Sequence, residues 1–231
     1  MAKLFDATGL SYRTAGWAAI ASGTLGILAY AALMTAVMTR TTMALTGQVF
    51  FLFRTHDVIV ILQFLLMIPA LVALHKLSHK QLQGMSRATL ATGIVALSLT
   101  ALFLIFIFPW IMSDEYYMIP QAMFGVWLIV VNWQLSGVLS RGIRWFGMVV
   151  GVGLLLVGIF EVGYAIFVNP IGLRIPAAPI EELEIPVETT ANIILHNILV
   201  IGSFMGVLTL PIWTIILGRK LLRVKVVQPL T

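Results

Sequence analysis

The fold class this sequence predicts is all-α: a polytopic transmembrane bundle of about six helices with both termini cytoplasmic. Three observations predict it. First, 60% of the 231 residues are hydrophobic and 10% charged, with a mean hydropathy of +1.03. A soluble domain is about one quarter charged, and so few charges do not cover a soluble surface of this size. Second, the apolar residues gather into six runs, each close to the ~20 residues that cross ~30 Å of hydrocarbon. Third, lysine and arginine alternate in density from one connection to the next, as they do in membrane proteins. The length suits one compact membrane domain over residues 1–231.

The runs are residues 15–38, 57–74, 88–110, 121–139, 145–168 and 192–217. Lipid offers backbone groups no hydrogen bonds, so an open chain crosses it as helix; a barrel would show shorter alternating segments. Lys3 and Arg13 precede the first run as in a signal peptide, but at about 24 residues the run is longer than a signal core. It reads as a retained helix. It carries a small-residue stripe of Ala15, Ala19, Ser22, Gly26, Ala29 and Ala36. The third run has Thr89, Gly93, Ala96 and Thr100, and the fifth has Gly147, Gly151, Gly158 and Ala165. Because lipid tails are as apolar as leucine, helices associate by close approach at such stripes, which therefore mark interior faces. Pro69 and Pro211 lie inside the second and sixth runs and each removes an intrahelical hydrogen bond, so kinks are expected there. Trp17, Trp110, Trp145 and Trp213 lie near run ends, as interfacial aromatics do.

Placing the N-terminus in the cytoplasm puts Lys3, Arg13, Lys76, Lys80, Arg87, Arg141, Arg144, Arg219, Lys220, Arg223 and Lys225 inside, and Arg40, Arg54 and Arg174 outside, 11 against 3 of the 14 basic residues. Most acids fall outside: Asp57, Asp114, Glu115, Glu181, Glu182, Glu184 and Glu188. The asymmetry sets orientation in the cell inner (plasma) membrane. It also accounts for the net charge of +5, which leaves nucleic acid out as a partner. Short inside turns at 77–87 and 140–144 make their flanking helices antiparallel neighbours. Outside, 39–56 carries Phe50, Phe51 and Phe53 and reads as interfacial. Segment 112–120 holds Asp114, Glu115, Tyr116 and Tyr117. Segment 169–191 holds four prolines and four glutamates, an extended acidic external loop that is a solvated connector or a docking surface. The tail 218–231 interleaves basic and aliphatic residues, either to grip anionic headgroups or to anchor the last helix. With no cysteine, disulfides, thiolate metal sites and thiol catalysis are excluded.

Glu161 is the one acid deep within a run. An ionisable group in the membrane is costly and marks a functional site by default. Positions 147, 151, 154, 158, 161 and 165 share a helical face, so Glu161 points into the bundle. His196, on a face with Asn192, Ser203 and Gly206, and Gln63, on a face with His56, reach similar depth, as does Gln121. Glu161, His196, Gln63, His56 and Asn192 are thus candidates for one ligand or proton site open to the outside. Two histidines and a carboxylate suit a divalent metal, and a Glu–His pair suits a proton relay. The structural alternative is a protonated Glu161 hydrogen-bonded to a neighbour. Asn132 and Ser136 share a deeper face of the fourth run. His75 and His79 sit in a basic segment that reads as an interfacial anchor, and His56 lies at the far end of the same helix from His75, which does not suit haem.

The stretch 124–166, FGVWLIVVNWQLSGVLSRGIRWFGMVVGVGLLLVGIFEVGYAI, resembles a bacterial family of six-helix membrane proteins classed as a domain of unknown function. In that family a short basic turn precedes an aromatic–Gly start and a glycine-rich helix, matched here by Ser140 to Arg144, Trp145 to Gly147, Gly151 and Gly158. Family members often carry Pro in the turn, where this chain has Ile143 and Arg144. The resemblance covers about half the chain and implies six helices but no activity, cofactor or catalytic residue. The functions left open are a non-catalytic accessory or structural subunit of a larger membrane complex, a small-molecule, lipid or proton-linked binder or transporter, and a membrane-embedded enzyme. The last lacks paired acids, a metal motif or an activated nucleophile.

Overall fold

The structure, a computed structural model, describes residues 12–40, 47–79, 85–107, 116–169 and 189–224. Its helices are α1 (Tyr12–Arg40), α2 (Gly47–His79), α3 (Arg87–Ile107), α4 (Met118–Gln134), α5 (Arg141–Phe167), α6 (Thr190–Gly202) and α7 (Leu210–Leu222), with a π-helical segment Ser203–Val207 between α6 and α7. No strand occurs among the described residues. Five stretches are long and apolar enough to cross a membrane: Tyr12–Thr39, Phe50–His79, Arg87–Ile107, Arg141–Phe167 and Thr190–Leu222. By these helices the chain is a multi-pass membrane protein.

Two boundaries depart from the sequence reading. Residues 47–56, expected in a connection, belong to α2, and the exposed Phe50 and Phe51 ride on its first turns. The fourth run stops at Gln134 rather than 139, because Gly137 takes φ 102° and turns the chain. Its 17 residues reach about 25 Å at 1.5 Å each, short of the ~30 Å core, so α4 is not among the five long stretches. The turn folds Leu135 and Leu139 back under the core. The segments 108–115 and 170–188, hence most of the acidic loop, and the tail beyond 224 lie outside the described residues.

The helices pack as a ring in chain order, and the sixth stretch closes it: α6 and the π-helical segment lie on α5, whereas α7 lies on α1. Small residues make most of these approaches possible. A Cβ on Gly125 would stand 2.6 Å from the Gly151 carbonyl, and one on Gly151 would stand 2.6 Å from the Gly125 carbonyl. Gly153 meets the backbone of Gly206, and a Cβ on Gly218 would stand 2.6 Å from the Gly16 carbonyl. Gly93 of α3 lies under the buried Trp127 ring, whose Nε1–H donates to the Thr89 carbonyl at 2.6 Å. The predicted stripe of α1 is fully inward, with Ala15, Ala19, Ser22, Gly26, Ala29 and Ala36 all buried. The outward residues include Val95, Ile105, Val130, Val149, Ile159 and Ile201, a lipid-facing set.

The seam in the sixth stretch falls where it changes partner. Leu208 N–H donates to the Ser203 carbonyl at 2.9 Å, one residue wider than an α-turn. Pro211, which has no N–H to give, then opens α7 and lies against Gly26 of α1. Pro69, by contrast, is carried inside an uninterrupted α2.

Candidate functional site

Glu161 is 1% exposed. Its face of α5 also holds the buried Gly147, Gly151, Leu154 and Gly158, and that face meets α4. A Cβ on Gly158 would touch Ala122 and stand 3.2 Å from the Met118 carbonyl. One turn further along, Glu161 comes level with the residues that open α4, about 9 Å from the C-terminal end of α5. Burial, and after it the Glu161 charge, push the Tyr116 phenol above its ordinary value. Tyr116 also stacks edge to face on Phe103 at 6.5 Å. Tyr116, which the sequence showed only as part of a connecting segment, thus lies within electrostatic reach of Glu161.

Of the other candidates, Gln63, His56 and Asn192 make contacts of their own. Gln63, 5% exposed, sits at the junction of α1, α2 and α7. A Cβ on Gly26 would stand 2.8 Å from its amide carbon, and its backbone carbonyl accepts the Ser22 hydroxyl at 2.8 Å. His56 is buried on α2 with Nδ1 3.0 Å from Asp57 Oδ1, beside the Arg54–Asp57 ion pair at 3.7 Å. Arg54 in turn lies over the Phe50 ring at 5.0 Å. Asn192 is half-buried in the first turn of α6, where its N–H is capped by the Thr189 hydroxyl at 3.2 Å. Gln121 is buried at the start of α4.

His196 departs most from the expected arrangement: it is exposed. The residue that turns inward is Leu195, whose Cδ2 would stand 2.6 Å from a Cβ on Gly163. The inward face of the sixth stretch runs through Leu195, Gly202 and Gly206. Gly202 sits against the Gly153 carbonyl, at 2.9 Å from a built Cβ. Close backbone packing fixes that rotation, and His196, one residue on, lies about 100° round the helix. Among the described residues no three His, Asp or Glu side chains come together as metal ligands.

Two further sequence readings change. Trp213, expected at the interface, is fully buried, its Nε1–H donating to the Ile143 carbonyl at 3.3 Å. Arg144, counted as an orientation signal, caps the end of α4: Nε donates to the Asn132 carbonyl at 2.8 Å and a terminal nitrogen to the Trp133 carbonyl at 3.3 Å. This is the favourable place for a cation on a helix dipole. Asn132 itself is fully buried against Gly147 and donates to the Leu128 carbonyl at 2.8 Å. His75 and His79 stand edge to face at 4.4 Å on the last turn of α2.

No protein-family model, curated protein or solved structure matches this chain.

Proposed function

We propose that the chain is a non-catalytic accessory or structural subunit of a larger membrane protein complex, held in the cell inner (plasma) membrane with both termini cytoplasmic. The observation that carries the reading is the outer face of α6. There His196 and Asn197 are exposed among the exposed Ile193, Ile194, Val200, Ile201 and Phe204. The stretch Thr190–Leu222 is also the least covered of the five long spans. A histidine and an amide turned to hydrocarbon about 10 Å inside a span lose their hydrogen bonds to water. A partner helix restores them and uses the same flat aliphatic surface for packing.

The interior supports the same reading, since its polar side chains serve helix contacts: Ser22 to α2, Trp127 to α3, Arg144 to α4. Kinship with the six-helix family of unknown function is part of the proposal, resting on the basic turn and the glycine-rich helix. In native purification from a mild detergent the chain should run with a different protein at fixed stoichiometry. His196→Leu with Asn197→Leu should weaken that complex while leaving the isolated chain as stable as before. A monodisperse isolated chain in every mild detergent would overturn the reading.

Glu161 favours a second reading, binding of a small molecule, lipid or proton from the outer side, through the buried carboxylate beside Tyr116. Ligand-dependent thermal stabilisation that disappears in Glu161→Gln would place it first.

A further inference from the structure

We propose that a cleft at the basic end of the bundle, between the first turn of α5 and the end of α7, binds an anionic glycerophospholipid by its phosphate. The cleft, about 320 Å³, is lined by Ile143, Ile216, Arg219, Lys220 and Arg223. Its walls are fixed to one another, because the buried Trp213 of α7 donates to the Ile143 carbonyl of the turn. Arg144 is held away from it by the carbonyls that end α4.

Three features select the occupant. The cations are uncommitted: among the described residues the ion pairs run from Arg54 and His56 to Asp57, and no carboxylate meets Arg219, Lys220 or Arg223. An arginine fork matches a phosphate in two hydrogen bonds. Next, the spacing along α7 is that of an amphiphile. Ile212, Ile216, Arg219 and Arg223 follow one another at four, three and four residues, one helical stripe that passes from the exposed Ile212 and half-buried Ile216 to two exposed cations. Acyl chains lie along the first part and the headgroup meets the second. Finally the depth is that of a headgroup: Trp145, on the first turn of α5 beside Ile143, is 56% exposed, where interfacial aromatics sit. Basic pockets between transmembrane helices at this level suit anionic headgroups. The inference is independent of any protein partner on α6.

The test uses the full purified chain in a neutral detergent, titrated with dioleoyl phosphatidylglycerol or dioleoyl phosphatidylcholine and read by native mass spectrometry and thermal unfolding. The native chain should bind phosphatidylglycerol about tenfold or more tightly than phosphatidylcholine. Replacing Arg219, Lys220 and Arg223 together with glutamine should abolish that preference. Lys76→Gln with Arg87→Gln, two charges lost at the same end but outside the cleft, should keep it. If the triple variant does not fold, Ile216→Trp provides the second test: it fills the cleft without removing charge and should reduce the preference by a similar factor. A preference retained in the triple variant or in Ile216→Trp overturns the proposal. So does an equal loss in the two-charge control, which would mean diffuse attraction, or displacement of the lipid by millimolar inorganic phosphate, which would mean a free-anion site.

Discussion

At the scale of the residue, burial separates groups that look alike in the sequence. Glu161 and His196 are both ionisable residues inside runs, yet one is 1% exposed and the other faces outward. The face of Glu161 was legible because Gly147, Gly151 and Gly158 mark it at helical spacing. That of His196 was not, because the polar residues of α6 do not define its packing face; Gly202 against Gly153 does. Glu161→Gln keeps shape and hydrogen-bonding capacity, so its unfolding free energy should stay within about 1 kcal/mol of native, whereas Glu161→Leu should cost about 1–3 kcal/mol by leaving the groups around it unmet. Equal losses would show that the charge itself is required. Arg144→Ala uncovers the carbonyls of Asn132 and Trp133 and should lower stability by about 1–3 kcal/mol. Arg144→Lys should recover part of that, since it retains the charge without the fork. Unchanged thermal unfolding in Arg144→Ala would remove the cap from the account.

At the scale of the element, glycines decide which helices can touch. A side chain at Gly151 collides with the α4 backbone near Gly125, and one at Gly153 collides with Gly206. Val152, between them, is 39% exposed, and Gly142 has nothing near the place of a Cβ. Gly151→Leu and Gly153→Leu should each cost about 1–3 kcal/mol or more and lower folded yield. Val152→Leu and Gly142→Ala should be tolerated. Equal tolerance at all four positions would contradict the packing scheme. The stripes of α1, α3 and α5 could be read in advance because small residues at three- and four-residue spacing have one use in lipid. The ends of α2 and α4 could not. The start of α2 depends on helix continuing through aromatic residues that equally suit an interface, and the end of α4 depends on the left-handed Gly137 inside an apolar run. The π-helical segment left no mark in composition either, although Pro211 pointed to its neighbourhood.

At the scale of the whole molecule, the helical multi-pass architecture was the most legible property, because it follows from composition and run length. Orientation is a charge argument, and the absence of native cysteine makes it easy to test. Gly142→Cys should react with an impermeant thiol reagent only after the cytoplasmic face is opened, and Glu182→Cys should react from outside in intact cells. The reverse pattern would invert the topology. What the molecule does was not legible, because the interior hydrogen bonds of Ser22 and Trp127 join helices and specify no substrate or partner. The most direct test of a subunit role is a photocrosslinking residue placed at Asn197 on α6, with one at Val95 on α3 as the lipid-facing comparison. One discrete protein adduct is expected from position 197 in native membranes, lost when His196 is replaced by leucine, and none from position 95. Lipid adducts alone from both positions would contradict it.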